Sequence, residues 1–147
     1  MKKISIQSNP EYNSPNKFFC KAIIENIVKL NKIRVYDITV IFTSDIFVSD
    51  LKKKFFLKDQ WTDVIAFPMN DNENGIEGDI YISLPTAKEN AEKYEEPYKK
   101  EVTRLVIHGV LHLLGYDDKT KKEKKVMYNL EEYYLNEENW EKLFEKE

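Results

Sequence analysis

The chain has one cysteine, Cys20, in 147 residues. A single thiol excludes an intrachain disulfide and a cysteine-built zinc ribbon, and it fits a reducing compartment. No run of about 18 apolar residues occurs, so no segment reads as a membrane span. Met1-Lys2-Lys3-Ile4-Ser5-Ile6 has two lysines but no sustained apolar run after them, which argues against a signal peptide. The expected location is the cytoplasm, with no membrane association. An excess of positive charge is also missing: 23 basic side chains face 26 acidic ones, for a net charge of −3. Nothing global draws the chain to nucleic acid, so an RNA or DNA site must be a local basic patch.

What the chain does have is enough apolar material for a core, at 41% hydrophobic and 13% aromatic residues, in a length that fits one domain. Residues 3–7 alternate as a half-buried strand, and residues 9–16 read as a loop. Phe18, Phe19, Ala22, Ile23, Ile27 and Leu30 have helical spacing over residues 17–30. Ile38, Val40 and Phe42 mark a second strand over residues 37–42. Ser49 or Asp50 can cap a short helix running to about Leu57. Residues 64–67 form a third strand closed by Pro68. The polar stretch 69–78 looks like a hairpin loop to a fourth strand, 79–83. A helix follows Pro85, and Pro97 separates it from another over about 98–114, which Gly115 stops. One or two charged amphipathic helices run from Lys121 to the end. There Tyr133, Tyr134, Leu135, Trp140, Leu143 and Phe144 are expected mostly in the core. Strands early and long helices late predict an α+β single domain over residues 1–147, with a small mixed four-stranded sheet packed with helices.

The chemistry concentrates in His108-Gly-Val-Leu-His112-Leu-Leu-Gly115-Tyr-Asp117-Asp118, and the two histidines here are all the chain has. Four residues apart on a helix, both imidazoles project from one face and can converge on an ion at about 2.0–2.1 Å each. Two imidazoles on an apolar face need polar partners or a metal, and a structural histidine pair is the plain alternative. Gly115 permits a left-handed helix end that can swing the next carboxylates back. Asp117 and Asp118 can each supply a third ligand or merely cap the next helix; Asp118 is favoured. Three protein ligands with an open position is the arrangement of a catalytic zinc. A His-Glu-x-x-His peptidase would use Glu as its base, and here Gly109 stands after the first histidine. A zinc peptidase is therefore disfavoured.

The run His-Gly-x-Leu-His-Leu-x-Gly-Tyr-Asp closely resembles the signature of the YbeY family, metal-dependent endoribonucleases of rRNA maturation. Trp61-Thr-Asp-Val-Ile-Ala-Phe-Pro68 is similar to the family's Thr-Asp/Asn-Val-Leu-Ser-Phe-Pro segment. Gly78-Asp-Ile-Tyr-Ile-Ser83 is similar to its Gly-Asp-Ile-x-Ile-Ser strand. The resemblance implies an α+β fold with the metal site on a central helix and the following turn. It implies cleavage of single-stranded RNA, maturation of the 3′ end of small-subunit (16S) rRNA, and ribosome quality control, with rRNA and the small ribosomal subunit as partners. It also implies one zinc ion per chain, on His108, His112 and the position of Asp118 as the catalytic and metal-binding set.

Two departures stand out. The family usually has a third histidine where this chain has Asp118, and a carboxylate there leaves room for another divalent metal. It also carries an arginine at the position of Phe56, where an apolar ring cannot bind phosphate. Lys54 and Lys58 are candidates to supply that charge, and Lys119 and Lys121 are candidate RNA contacts beside the motif. Phe55, Phe56 and Trp61 can offer a base-stacking surface, although core packing is expected for at least two of them. A ribosome-associated RNA-binding factor with a structural metal and no catalysis is the alternative function. Nothing in the sequence sets the oligomeric state.

Overall fold

The computed structural model describes residues 1–56, 62–69 and 75–146. The chain opens with strand β1, Lys2–Ser8, whose Ile4 and Ile6 are buried. Helix α1, Lys17–Leu30, starts where the Asn16 side chain accepts from Phe19 N–H at 3.2 Å. It buries Cys20, Ile23, Ile24, Ile27 and Val28 along one stripe. Strand β2, Val35–Thr43, begins two residues earlier than its apolar alternation indicated, and buries Tyr36, Ile38, Val40 and Phe42.

Helix α2 spans Asp45–Phe56. Its cap is Ser44, whose hydroxyl accepts from Phe47 N–H at 3.1 Å, and not Ser49 or Asp50. Ser44 directly follows the preceding strand, so the helix starts as soon as the strand has ended. Strand β3, Val64–Pro68, and strand β4, Gly75–Ser83, follow. β4 starts four residues before the expected Asp79, so the polar segment is in part strand. Gly75 lies so close to β2 that a Cβ would sit 2.3 Å from the Val35 carbonyl oxygen. The glycine that resembled loop punctuation is a close strand-to-strand approach.

The sheet order is β1-β2-β4-β3. β1, β2 and β4 run parallel, and β3 is antiparallel to β4, which makes the small mixed sheet the sequence indicated. The register aligns Ile6, Val40 and Ile80 across three strands, with Phe42 beside Ile82. These residues form the sheet side of the core.

Helix α3, Leu84–Lys93, is capped by Ser83, which accepts from Thr86 N–H at 3.1 Å; Pro85 sits in its first turn instead of before it. Helix α4, Tyr98–Leu113, follows Pro97 and is the central helix. It is buried on most sides, through Val102, Leu105, Val106, Ile107, Val110 and Leu111. Helix α5, Lys121–Glu137, opens with a Thr120/Glu123 capping box, and a short 3-10 turn, Trp140–Lys142, is the last element among the described residues. Tyr134, Leu135 and Leu143 are buried, Trp140 and Phe144 pack partly against the core, and Tyr133 is exposed. The described residues make one α+β domain. None of its helices is long and apolar enough to cross a membrane.

The two faces of the sheet differ. Ile80 faces α4, because a Cβ on Gly109 would touch its side chain. Tyr81, one residue on, points the other way and meets Phe47 of α2, ring to ring at 5.9 Å. α2 therefore covers the face opposite α4.

Candidate metal centre

The last turns of α4 carry His108 and His112 on one face. Gly109 between them faces inward, with no room beside Ile80 for a side chain. After Leu113 the helix closes in a left-handed end: Gly115 has φ +104°, its N–H reaches the His112 carbonyl, and Tyr116 N–H reaches that of Leu111, both at 3.0 Å. A residue with a Cβ resists that φ, so the glycine sets the bend. The bend turns residues 116–118 back along the helix.

Asp118, and not Asp117, meets the histidines. Its Oδ2 lies 3.3 Å from His108 Nε2 and 3.5 Å from His112 Nε2, and the two Nε2 atoms are 3.0 Å apart. Asp117 turns aside: its Oδ1 accepts from Asp118 N–H at 2.9 Å, and its Oδ2 is 3.8 Å from Lys119 Nζ. Among the described residues, His108, His112 and Asp118 form a group able to hold a metal ion. The donor triangle fits one. A tetrahedral ion with bonds of about 2.0–2.1 Å sets its donors about 3.3 Å apart. The three sides here are 3.0, 3.3 and 3.5 Å. The donor side chains are also part open, at 18%, 25% and 39% exposure, as a centre with a free position requires.

Behind the triangle lies a layer of polar side chains that sequence reasoning missed. Glu131 of α5, 6% exposed, places Oε2 2.7 Å from His108 Nδ1. Its other oxygen accepts from Arg104 at 3.0 Å, and Arg104 also reaches Glu132 at 2.6 Å and Glu101 at 3.7 Å. Asn90 donates to Asp63 at 3.0 Å and to Glu101 at 3.4 Å. Arg104 lies four residues before His108 and Glu101 seven before, so helical periodicity alone could have marked both. Glu131 belongs to another helix, and no spacing rule links it to the histidines.

The charges are coupled. Burial pulls the His108 imidazole down, but the hydrogen bond and charge of Glu131, then Asp118 and Asp63, outweigh it and raise its pKa. His112 moves the other way, lowered by burial and then by His108 beside it. Burial pushes the Glu101 carboxyl up to about 7, against the hydrogen bond from Asn90 and the charge of Arg104.

The lysines divide. Lys119 is exposed and follows Asp118 directly, and Lys121 opens α5. Lys54 stands in the last turn of α2, on the far face of the sheet, with its ammonium 5.6 Å from the Phe55 ring, so the structure does not bring it to the histidines. Lys58 and Trp61 lie outside the described residues. Phe55 and Phe56 are 59% and 44% exposed and pack on Phe67, so neither is the core residue expected. α2 buries only Val48, and its end rests on the rim of the sheet.

Known proteins resemble this chain in sequence and in fold. The family model described as "Endoribonuclease YbeY" matches residues 4–139. The Endoribonuclease YbeY of Persephonella marina is 37% identical over 137 residues, covering 90% of each chain. That of Acholeplasma laidlawii is 42% identical over 100 residues, covering 68% of this chain and 73% of its own. The solution structure of TM1509 from Thermotoga maritima superposes with a TM-score of 0.61 at 28% identity, covering 91% of this chain and 87% of that one. A match that runs from β1 to beyond α5 takes in every element that carries the triangle and its support, and on that extent the chain belongs to the YbeY endoribonuclease family.

Proposed function

We propose that the chain is a metal-dependent endoribonuclease that cuts single-stranded RNA in the 3′-end maturation of 16S rRNA and in ribosome quality control. On this reading His108, His112 and Asp118 are the metal-binding and catalytic set, and zinc is the ion, one per chain. The observation that carries the proposal is the donor triangle, with sides matched to a tetrahedral ion and an open side toward solvent. Family membership supports the ribonuclease part. The partners are rRNA and the small ribosomal subunit, and the compartment is the cytoplasm.

A bound divalent ion supplies a Lewis acid for a phosphoryl oxygen and makes water a stronger acid. The chain's own residues do the rest. Asp118 brings negative charge to the histidine pair and so favours a cation there. Lys119 and Lys121 are exposed beside the turn, and on this reading they contact backbone phosphates. Gly109 cannot carry a base into the cleft, which speaks against peptide hydrolysis.

The test has two parts. Purified protein should hold about one metal per chain by elemental analysis. It should also cut a single-stranded RNA in a reaction that a chelator stops and His112→Ala abolishes. Stoichiometric metal retained by the His108→Ala/His112→Ala double variant would overturn the site. Metal binding without cleavage under any divalent ion would leave a non-catalytic RNA-binding factor in its place.

A further inference from the structure

We propose that Glu131 is a positioning residue for the metal centre: it holds the proton on His108 Nδ1 and so presents the Nε2 lone pair to the ion. The inference rests on the metal reading above and deepens it.

A neutral imidazole carries one N–H, on either nitrogen, and only the bare nitrogen can ligate. His108 turns Nε2 toward Asp118 and His112, at 3.3 and 3.0 Å, and Nδ1 toward Glu131 Oε2, at 2.7 Å. A carboxylate only accepts, so this contact is satisfied when Nδ1 holds a hydrogen. Nε2 is then left free to bind a cation in place of a proton. The carboxylate also makes the ring a stronger donor to a cation.

Glu131 is itself fixed. It is 6% exposed, and a charge buried there is costly unless paired. Arg104 takes Oε1 at 3.0 Å, which leaves Oε2 for His108 alone. Arg104 is held in turn by Glu132 at 2.6 Å and lies 5.5 Å from the ring centre of Tyr128. Each oxygen of Glu131 thus has one separate task. A glutamine could not do both: its one oxygen can serve Arg104 or His108, and its NH₂ would oppose the donor on the other side.

The plain alternative is that Glu131 only pairs with Arg104 and docks α5 on α4. Glu132→Ala is the control, because it removes a partner of Arg104 and leaves His108 untouched. Zinc affinity is measured by competition with a chromophoric chelator, and the visible spectrum of the cobalt form reports coordination geometry. Glu131→Ala and Glu131→Gln should weaken zinc binding about tenfold to a hundredfold and alter the cobalt spectrum, whereas Glu132→Ala should stay within about threefold of wild type. A folded Glu131→Ala that binds zinc within about threefold of wild type overturns the inference and leaves the metal site standing. A wild type that binds no metal overturns both.

A second measurement needs no variant. In the zinc-loaded wild type, ring ¹⁵N spectra should show His108 with zinc on Nε2 and a slowly exchanging proton on Nδ1. Zinc on Nδ1 overturns the inference even if every Glu131 variant fails to fold.

Discussion

Gly109 is locked against Ile80: a Cβ added to the glycine would lie 2.5 Å from Ile80 Cγ2. The contact sets the distance at which α4 rests on β4, and so the height of both histidines above the sheet. Gly109→Ala gains about 1 kcal/mol of helix propensity. Overpacking costs typically 1–3 kcal/mol and is felt in full here, because Ile80 is wholly buried. We expect a net loss of up to about 2 kcal/mol in urea unfolding.

Metal binding should stabilise the fold by mass action. Zinc at a hundredfold over its Kd should add about 2.7 kcal/mol, seen as a rise in Tm that a chelator reverses. His108→Ala should abolish the rise. Asp118→Ala should lower it, while Asp118→His, which restores the family's usual residue, should keep it. An equal rise in His108→Ala would place the ion elsewhere.

Glu101 should make stability depend on pH. Burial lifts its carboxyl from 4.5 to about 7 in the folded chain. The protonated form is therefore favoured by folding. That contribution is fully present below the unfolded value and is lost as pH rises through the folded one. Glu101→Gln cannot ionise, so metal-free Glu101→Gln should match wild type near pH 4.5 and gain on it by the order of 1–3 kcal/mol by about pH 8. Urea unfolding of both proteins with chelator present across that range gives the difference directly. A difference that does not change with pH would show that Glu101 stays ionised in the fold.

Thr120 starts the helix that delivers Glu131. Its hydroxyl accepts from Glu123 N–H at 3.1 Å, and Glu123 answers by accepting from Thr120 N–H at 2.9 Å. Thr120→Ala should cost about 1 kcal/mol in denaturant unfolding. Thr120→Ser, which keeps the oxygen, should restore most of it.

Much of this fold was legible because local and global signals agree. The apolar stripe of α1, the alternation of β2 and the turn at Gly115 each point to the state observed. The misread segments are those where neighbours decide. Gly75 and Gly78 weaken any strand reading, yet both lie in β4, where a Cβ would strike the Val35 carbonyl or Leu113. Phe55 and Phe56 look like core residues, but α2 ends on the rim of the sheet and leaves them half in solvent. At the site, His108 and His112 were visible from spacing. The sequence already favours Asp118 over Asp117, and the path of the turn brings Asp118 to both rings, whereas Glu131 needed the packing of α5 on α4.

Cys20 sits at 0% exposure within α1, and burial pushes its thiol up to about 12. The native state therefore shields the chain's sole sulfhydryl from alkylating reagents, which attack the thiolate. Labelling must wait until α1 parts from the sheet. The rate of that modification becomes a built-in clock for opening of the core, readable by mass spectrometry with no engineered probe.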